Sequence, residues 1–181
     1  KGQELPAYDP RGIQGDGLAT ATSVRGGDHV YGYLISPEIL GAPEKLDPLV
    51  TKGKPQWVKV FQDLSAAIDA SGMCLFTSFA LGADDYADLL AATTGMKIDA
   101  AELLKIGDRI WNLQKLYNIN RGFGRKDDTL PARLLNEPLM EGAAKGQVWR
   151  GEEMLDEYYT LRGWDKEGTP TPDKLKELGL K

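Results

Sequence analysis

Pro55-Gln56-Trp57-Val58-Lys59-Val60-Phe61-Gln62-Asp63-Leu64-Ser65-Ala66-Ala67-Ile68-Asp69-Ala70 is the stretch on which the fold turns. Trp57, Val60, Phe61, Leu64, Ala67 and Ile68 recur at steps of three and four, the spacing of one face of an α-helix. Pro55 suits the first helical turn, where its missing N–H would have had no acceptor. The pattern predicts an amphipathic helix from residue 55 to about residue 70, with Gly72 just past its end. Downstream, residues 84–93 predict a second helix, with Asp84 and Asp85 at the end where the helix dipole favours acids and Gly95 as its stop. Asp99 is a good N-cap for the longest helix, in which Leu103, Ile106, Ile110, Leu113 and Tyr117 fall on one face and Leu104, Trp111 and Leu116 widen it. Gly107 weakens that helix by roughly 1 kcal/mol relative to Ala and permits close packing.

On either side the chain is looser. Residues 1–11 read as extended, and Gly12-x-x-Gly15-x-Gly17 reads as a tight turn leading into a short helix over 18–24 that stops at Gly26-Gly27. Residues 29–35 suit a short strand or extended segment, and 36–55 a loop with one helical turn at 37–40. Asp128-Thr129-Leu130-Pro131 reads as the cap and first turn of a short helix through Leu135. Residues 152–162 predict a helix with Gly163 behind it, and Thr171-Pro172-Asp173 caps a last one over 174–178. No β-alternation exceeds five residues. The expected class is all-α: one multi-helical domain over 1–181, with a loop-rich segment (1–54), a helical core (55–120), and loops with short helices (121–181).

Composition narrows the function. Over 181 residues, 41% are hydrophobic and 27% charged, an ordinary globular mixture. Lys and Arg number 22 against 27 Asp and Glu, a net charge of −5 that argues against a nucleic-acid binder. No run is apolar and long enough for a membrane span, and the amino terminus does not read as a signal peptide, so a cytoplasmic location is expected. One Cys and one His, with no CxxC or HExxH, leave room for only part of a metal site. The start at Lys1 rather than Met suggests a piece of something longer. The Gly12–Gly17 pattern lacks the preceding apolar strand and following Lys of a nucleotide loop.

His29 and Cys74 are the residues that stand out. A lone His is more often a surface or satisfied core residue than a catalytic one, although its ordinary pKa suits proton transfer near neutral pH. A lone Cys is more often a small hydrophobe. Cys74, however, follows Gly72 at a helix junction, where exposed N–H groups favour a thiolate. One thiolate is a quarter of the usual cluster ligand set. Asp69 either caps the following turn or accepts N–H donors from a polar ligand. The pairs Asp84-Asp85, Asp127-Asp128 and Glu152-Glu153 read as partners of helix dipoles.

Five segments, in order, carry a resemblance. They are Glu4-Leu5-Pro6-Ala7-Tyr8-Asp9-Pro10-Arg11-Gly12, Ala21-Thr22-Ser23-Val24-Arg25-Gly26-Gly27-Asp28-His29 and Asp69-Ala70-Ser71-Gly72-Met73-Cys74-Leu75. Then come Arg125-Lys126-Asp127-Asp128-Thr129-Leu130-Pro131-x-Arg133-Leu134 and Asp156-Glu157-Tyr158-Tyr159-x-Leu161-Arg162-Gly163-Trp164. Together they resemble the carboxy-terminal part of the tungsten-containing aldehyde ferredoxin oxidoreductase family.

The resemblance implies two helical domains closing over a tungsten (or molybdenum) bis-pterin on an amino-terminal β-rich base, beside a [4Fe–4S] cluster. Three cluster cysteines lie upstream in the family and the fourth in an Asp-x-x-Gly-Leu-Cys motif. Asp69, Gly72 and Cys74 match that motif, with Met73 in place of Leu, a volume-conserving change. Cys74 is thereby implied as a cluster ligand, and Asp69, Gly72, Met73 and Leu75 as pterin-side contacts. His29 matches a family His near the metal, and Tyr31 stands where some members carry a basic residue that touches the pterin.

The implied reaction is oxidation of an aldehyde with water to a carboxylate, two electrons passing through the cluster to ferredoxin. Implied partners are the remaining domains of the same enzyme, ferredoxin and the aldehyde, with a homodimer of the intact enzyme and no nucleic acid or membrane. Neither cofactor is expected to be held by this domain alone. Two other readings stand beside this one: the same superfamily acting on aromatic-ring thioesters or other carbonyl acids, and a non-catalytic helical interaction domain.

Overall fold

The computed structural model of the chain describes residues 1–180, and its regular elements are helical. In chain order the elements are α1 (Gln14–Thr22), a π-helical turn (Ser36–Leu40), α2 (Lys54–Ser71), a 3₁₀ turn (Leu75–Phe79), α3 (Ala83–Thr94) and α4 (Ala100–Asn120). A 3₁₀ turn (Arg125–Asp127), α5 (Ala132–Asn136), α6 (Glu152–Arg162) and α7 (Pro172–Glu177) follow. Among the described residues the β-pairing is limited to one isolated bridge, Trp164 to Pro170. No helix of the described residues is long and apolar enough to cross a membrane.

α2 and α4 lie side by side at the centre. They pack tightly at Gly107, where a Cβ would sit 1.9 Å from the Asp63 carbonyl oxygen. α4 begins at its expected cap, with Asp99 accepting the Glu102 N–H at 2.9 Å. Its buried face is only part of the predicted one: Leu103 and Trp111 are buried and Ile110 packs on the core, whereas Leu113 and Tyr117 are 56% and 61% exposed. The inward residues are Leu103, Gly107, Asp108, Trp111, Asn112 and Lys115. Half of these are polar, and partners distant in sequence satisfy them. Trp164 Nε1 donates to Asn112 Oδ1 at 2.7 Å, and Lys115 Nζ donates to Asp128 Oδ2 at 2.6 Å.

Asp128 therefore does not cap α5, which starts four residues later. It is buried, and besides Lys115 it accepts the Tyr159 hydroxyl at 2.6 Å and pairs with Lys1 at 3.0 Å. Arg162, at the end of α6, is fully buried and binds Asp63 of α2, Asp108 of α4 at 3.1 Å, and Gln62 at 2.8 Å. Lys174 of α7 closes on Asp108 at 2.7 Å.

α1 starts at Gln14, earlier than its glycines suggested, and ends at Thr22. Every one of its residues is buried, so packing overrides propensity. A Cβ at Gly17 would meet Trp149 Nε1 at 2.5 Å, and one at Gly15 would meet Leu34 at the same distance. These glycines serve close packing inside the helix rather than a turn before it. Residues 29–35 form bends rather than a strand, because Asp28 Oδ1 accepts the N–H groups of Val30 and Tyr31 that a ladder would need.

Two apolar cores result. The larger joins Leu18, Tyr31, Val58, Trp111, Tyr158 and Trp164, and the smaller joins Ala67, Ile68, Tyr86, Ala87 and Leu103 beneath α3.

Candidate functional site

The carboxy-terminal end of α2 carries the first half of the site. Gly72, with φ +77°, takes the left-handed conformation that ends the helix, and its N–H returns to the Asp69 carbonyl at 3.1 Å. The chain leaves extended at Cys74, with φ −73° and ψ 124°. In extended chain neighbouring side chains alternate, so Met73 and Leu75 pack on the smaller core while the Cys74 thiol is exposed. Exposure removes the reading of Cys74 as a small buried hydrophobe. Cys74 immediately precedes a 3₁₀ turn, whose first N–H groups have no acceptor within that turn. The Asp69 carboxylate does not cap this turn either, because Ser71 Oγ accepts the Met73 N–H instead.

The segment 25–33 carries the second half. His29 is half-buried, and its ring lies between Tyr8 and Tyr33, with centroids 5.2 and 6.0 Å away. Its nitrogens make no hydrogen bond to the described residues. Tyr33 continues edge-on to Phe79 at 5.6 Å, and Phe79 stacks on Phe76 at 6.1 Å. This row of rings runs from His29 into the 3₁₀ turn that starts beside Cys74. A second link is ionic. Arg25 Nε pairs with Asp28 Oδ2 at 2.8 Å and Nη1 with Asp69 Oδ2 at 3.4 Å, and the guanidinium lies 4.0 Å over the Tyr31 ring.

Burial pushes the phenols beside His29 and Arg25 towards their neutral forms. Tyr33 is pushed up to about 12 by burial and then by its hydrogen bond with Tyr8. Tyr31 is raised by burial, with Gln114 and Arg25 pulling the other way. Tyr31 is thus a neutral hydroxyl, donating to Gln114 Oε1 at 3.0 Å.

Between α2, the π-helical turn and the 3₁₀ turn lies a cavity of about 370 Å³. Tyr33 and Phe79 form one wall, Leu75 another, and Trp57, Phe61 and Leu104 close it, with no charged side chain in the lining. It adjoins both halves of the site: Tyr33 touches His29, and Leu75 follows Cys74. Among the described residues no three His, Cys, Asp or Glu side chains converge as a metal site.

The sequence profile of the family described as "Aldehyde ferredoxin oxidoreductase, domains 2 & 3" matches residues 1–180. The chain belongs to this family. The tungsten-containing aldehyde ferredoxin oxidoreductase of Pyrococcus abyssi is 56% identical over 99% of the chain, and that of Pyrococcus horikoshii 55% over 99%. The chain spans about 30% of the length of either relative. A solved structure of the active site complex BamBC of benzoyl coenzyme A reductase with 1,5-dienoyl-CoA is similar at a TM-score of 0.60. It is 26% identical, covering 79% of this chain and 21% of that one.

Within this chain, the residues singled out from sequence lie on two neighbouring turns. Asp69, Gly72, Met73, Cys74 and Leu75 share one turn, and His29 sits on the other. Sequence reasoning missed the groups that join them, namely Tyr33, Phe79 and the Arg25 guanidinium. Arg25 lies inside a quoted motif, but nothing in its spacing announces a partner 44 residues away.

Proposed function

We propose that this chain is the cofactor-facing helical part of a tungstopterin oxidoreductase that oxidises aldehydes to carboxylates and passes electrons to ferredoxin. The observation that carries the reading is the pairing of an exposed Cys74 turn with the His29 turn on the rim of an uncharged cavity. The relatives named as tungsten-containing aldehyde ferredoxin oxidoreductases support it over nearly the whole chain.

The residues present fit part of such a cofactor set. Cys74 offers one outward thiol, so as a thiolate it would supply one ligand of a [4Fe–4S] cluster whose other ligands come from outside this chain. Asp69 exposes a carboxylate beside it, where it would accept N–H donors of a pterin. When bound, the tungsten pterin and cluster supply the two-electron redox chemistry of RCHO + H₂O → RCOO⁻ + 3 H⁺ + 2 e⁻.

The chain's own part is binding and proton handling. The cavity would take the aldehyde's apolar portion and exclude water from it. His29, whose nitrogens have no competing partner among the described residues, would hydrogen-bond the reacting oxygen and accept a released proton. Tyr8 and Tyr33 hold the imidazole ring between them.

A second reading, reduction of an aromatic-ring thioester, is favoured by the likeness to the benzoyl coenzyme A reductase complex. The aldehyde reading is preferred because the relatives that carry that name are 55–56% identical, against 26% for the reductase complex.

The deciding experiment is a metal assay with aldehyde-dependent dye reduction on the intact protein. His29→Ala is expected to lower kcat by roughly 10²-fold or more. A Cys74→Ala, His29→Ala double variant of the intact protein that keeps full activity would contradict the roles given to both residues and leave this chain a non-catalytic helical part.

A further inference from the structure

The role of Arg25 is assigned by none of the relatives' names, and its placement is unusual for a half-exposed arginine. Its planar fork meets two carboxylates on different segments at once: Asp28 at 2.8 Å, inside its own turn, and Asp69 at 3.4 Å, on the last turn of α2. The face of the same guanidinium stacks on Tyr31 at 4.0 Å. Each contact is itself anchored. Asp28 is mostly buried, and its other oxygen holds the Val30 and Tyr31 N–H groups at 2.9 and 3.3 Å, which shapes the backbone on which His29 sits. Tyr31 is locked between Arg25, the Trp111 ring at 4.9 Å and Gln114 of α4. Asp69 begins the turn that delivers Cys74.

We propose that Arg25 is a positioning residue that couples the His29 turn to the Asp69–Cys74 turn, setting the imidazole's place relative to whatever Cys74 and Asp69 bind. This rests on the functional reading above only for the catalytic consequence, because the mechanical coupling stands on the geometry alone. A lysine cannot replace the arginine here. A single ammonium has no planar fork to span both carboxylates while lying flat on a ring. Misplacing a reacting group by about 1 Å costs up to roughly 10²-fold in rate, so loss of the coupling is expected to lower kcat more than it changes KM.

The test uses Arg25→Lys and, as a gentler second variant, Asp28→Asn in the intact enzyme. In Asp28→Asn the amide oxygen keeps the Val30 and Tyr31 bonds while the charged arm to Arg25 is lost. Amide hydrogen exchange is read over 26–31 and 70–76, together with kcat, KM and the electron paramagnetic resonance of the reduced cluster. Coupling predicts that Arg25→Lys raises exchange in both segments together. It also predicts a roughly tenfold to 10²-fold lower kcat with KM nearly unchanged, and a shifted cluster signal. Asp28→Asn should move the same readouts in the same direction by less.

Exchange that rises in 26–31 alone, or an unshifted cluster signal with wild-type kcat in Arg25→Lys, overturns the proposal. Full activity of the His29 and Cys74 variants would instead overturn the site roles given to those residues above, and the exchange result would still decide the coupling.

Discussion

At the scale of single residues, Cys74 is turned outward because Met73 and Leu75 on either side of it are drawn into the smaller core. Its thiol is expected to react with one equivalent of a disulfide reagent in the folded chain alone. In the intact, cluster-loaded protein it should become reactive only after the iron is chelated. Equal reactivity before and after chelation would argue against Cys74 as a ligand.

Asp16 shows the opposite situation. It is 1% exposed, its Oδ1 is without a hydrogen-bond partner among the described residues, and its neighbour Glu38 already pairs with Lys54. Burial, and then Glu38, push the Asp16 carboxyl up to about 8 from 3.8. Between those values the folded chain holds a proton that the unfolded chain has released, so stability falls as pH rises from about 4 towards 8. Asp16→Asn removes that slope. Its thermal midpoint is expected to gain on the unsubstituted chain between pH 5 and pH 8, as measured by calorimetry at both.

At the scale of elements, periodicity located α2, α3 and α6 to within a residue or two of their ends, because each is stopped by a glycine in the left-handed conformation. It placed only part of α4's inward face, with Leu103 and Trp111 buried but Leu113 and Tyr117 turned outward. The period counts apolar residues, and the inward face of α4 is half polar, satisfied by Asp128 just beyond the helix and by Trp164 and Arg162 from near the end of the chain. It also missed the start of α1, whose glycines disfavour a helix until Trp149 and Leu34 are packed against them. The site was legible in the same partial way: the turns could be found, and the side chains bridging them could not. The helix crossing at Gly107 gives a direct test. Gly107→Ala improves helix propensity by about 1 kcal/mol, yet its Cβ would overlap the Asp63 backbone, which no rotamer change relieves. A net loss of about 2 kcal/mol is expected by denaturant titration, with the midpoint reduced.

At the scale of the whole molecule, the charge network around Arg162 holds α2, α4, α6 and α7 to one another. Burial works against the charge on Arg162, but Asp63, Tyr158 and Asp108 together outweigh it, so the guanidinium stays protonated. Asp63 is raised by burial despite Arg162, whereas in Asp108 burial is outweighed by Arg162, Lys59 and Lys174 and the carboxyl is lowered. Arg162→Met keeps much of the volume but strands two carboxylates between helices. It is expected to cost about 3–5 kcal/mol in equilibrium unfolding. A loss below about 1 kcal/mol would mean that Lys59 and Lys174 neutralise the pair on their own.

The same guanidinium also dictates how the molecule comes apart. Because it is shared by helices from both halves of the sequence, none of them can open alone without abandoning a buried ion, so they form a single foldon. α3 has no stake in that ion, and its buried residues are only Tyr86 and Ala87. Partial unfolding should therefore begin there, and a protease should nick the connections at 80–83 and 95–99 while the remainder stays intact.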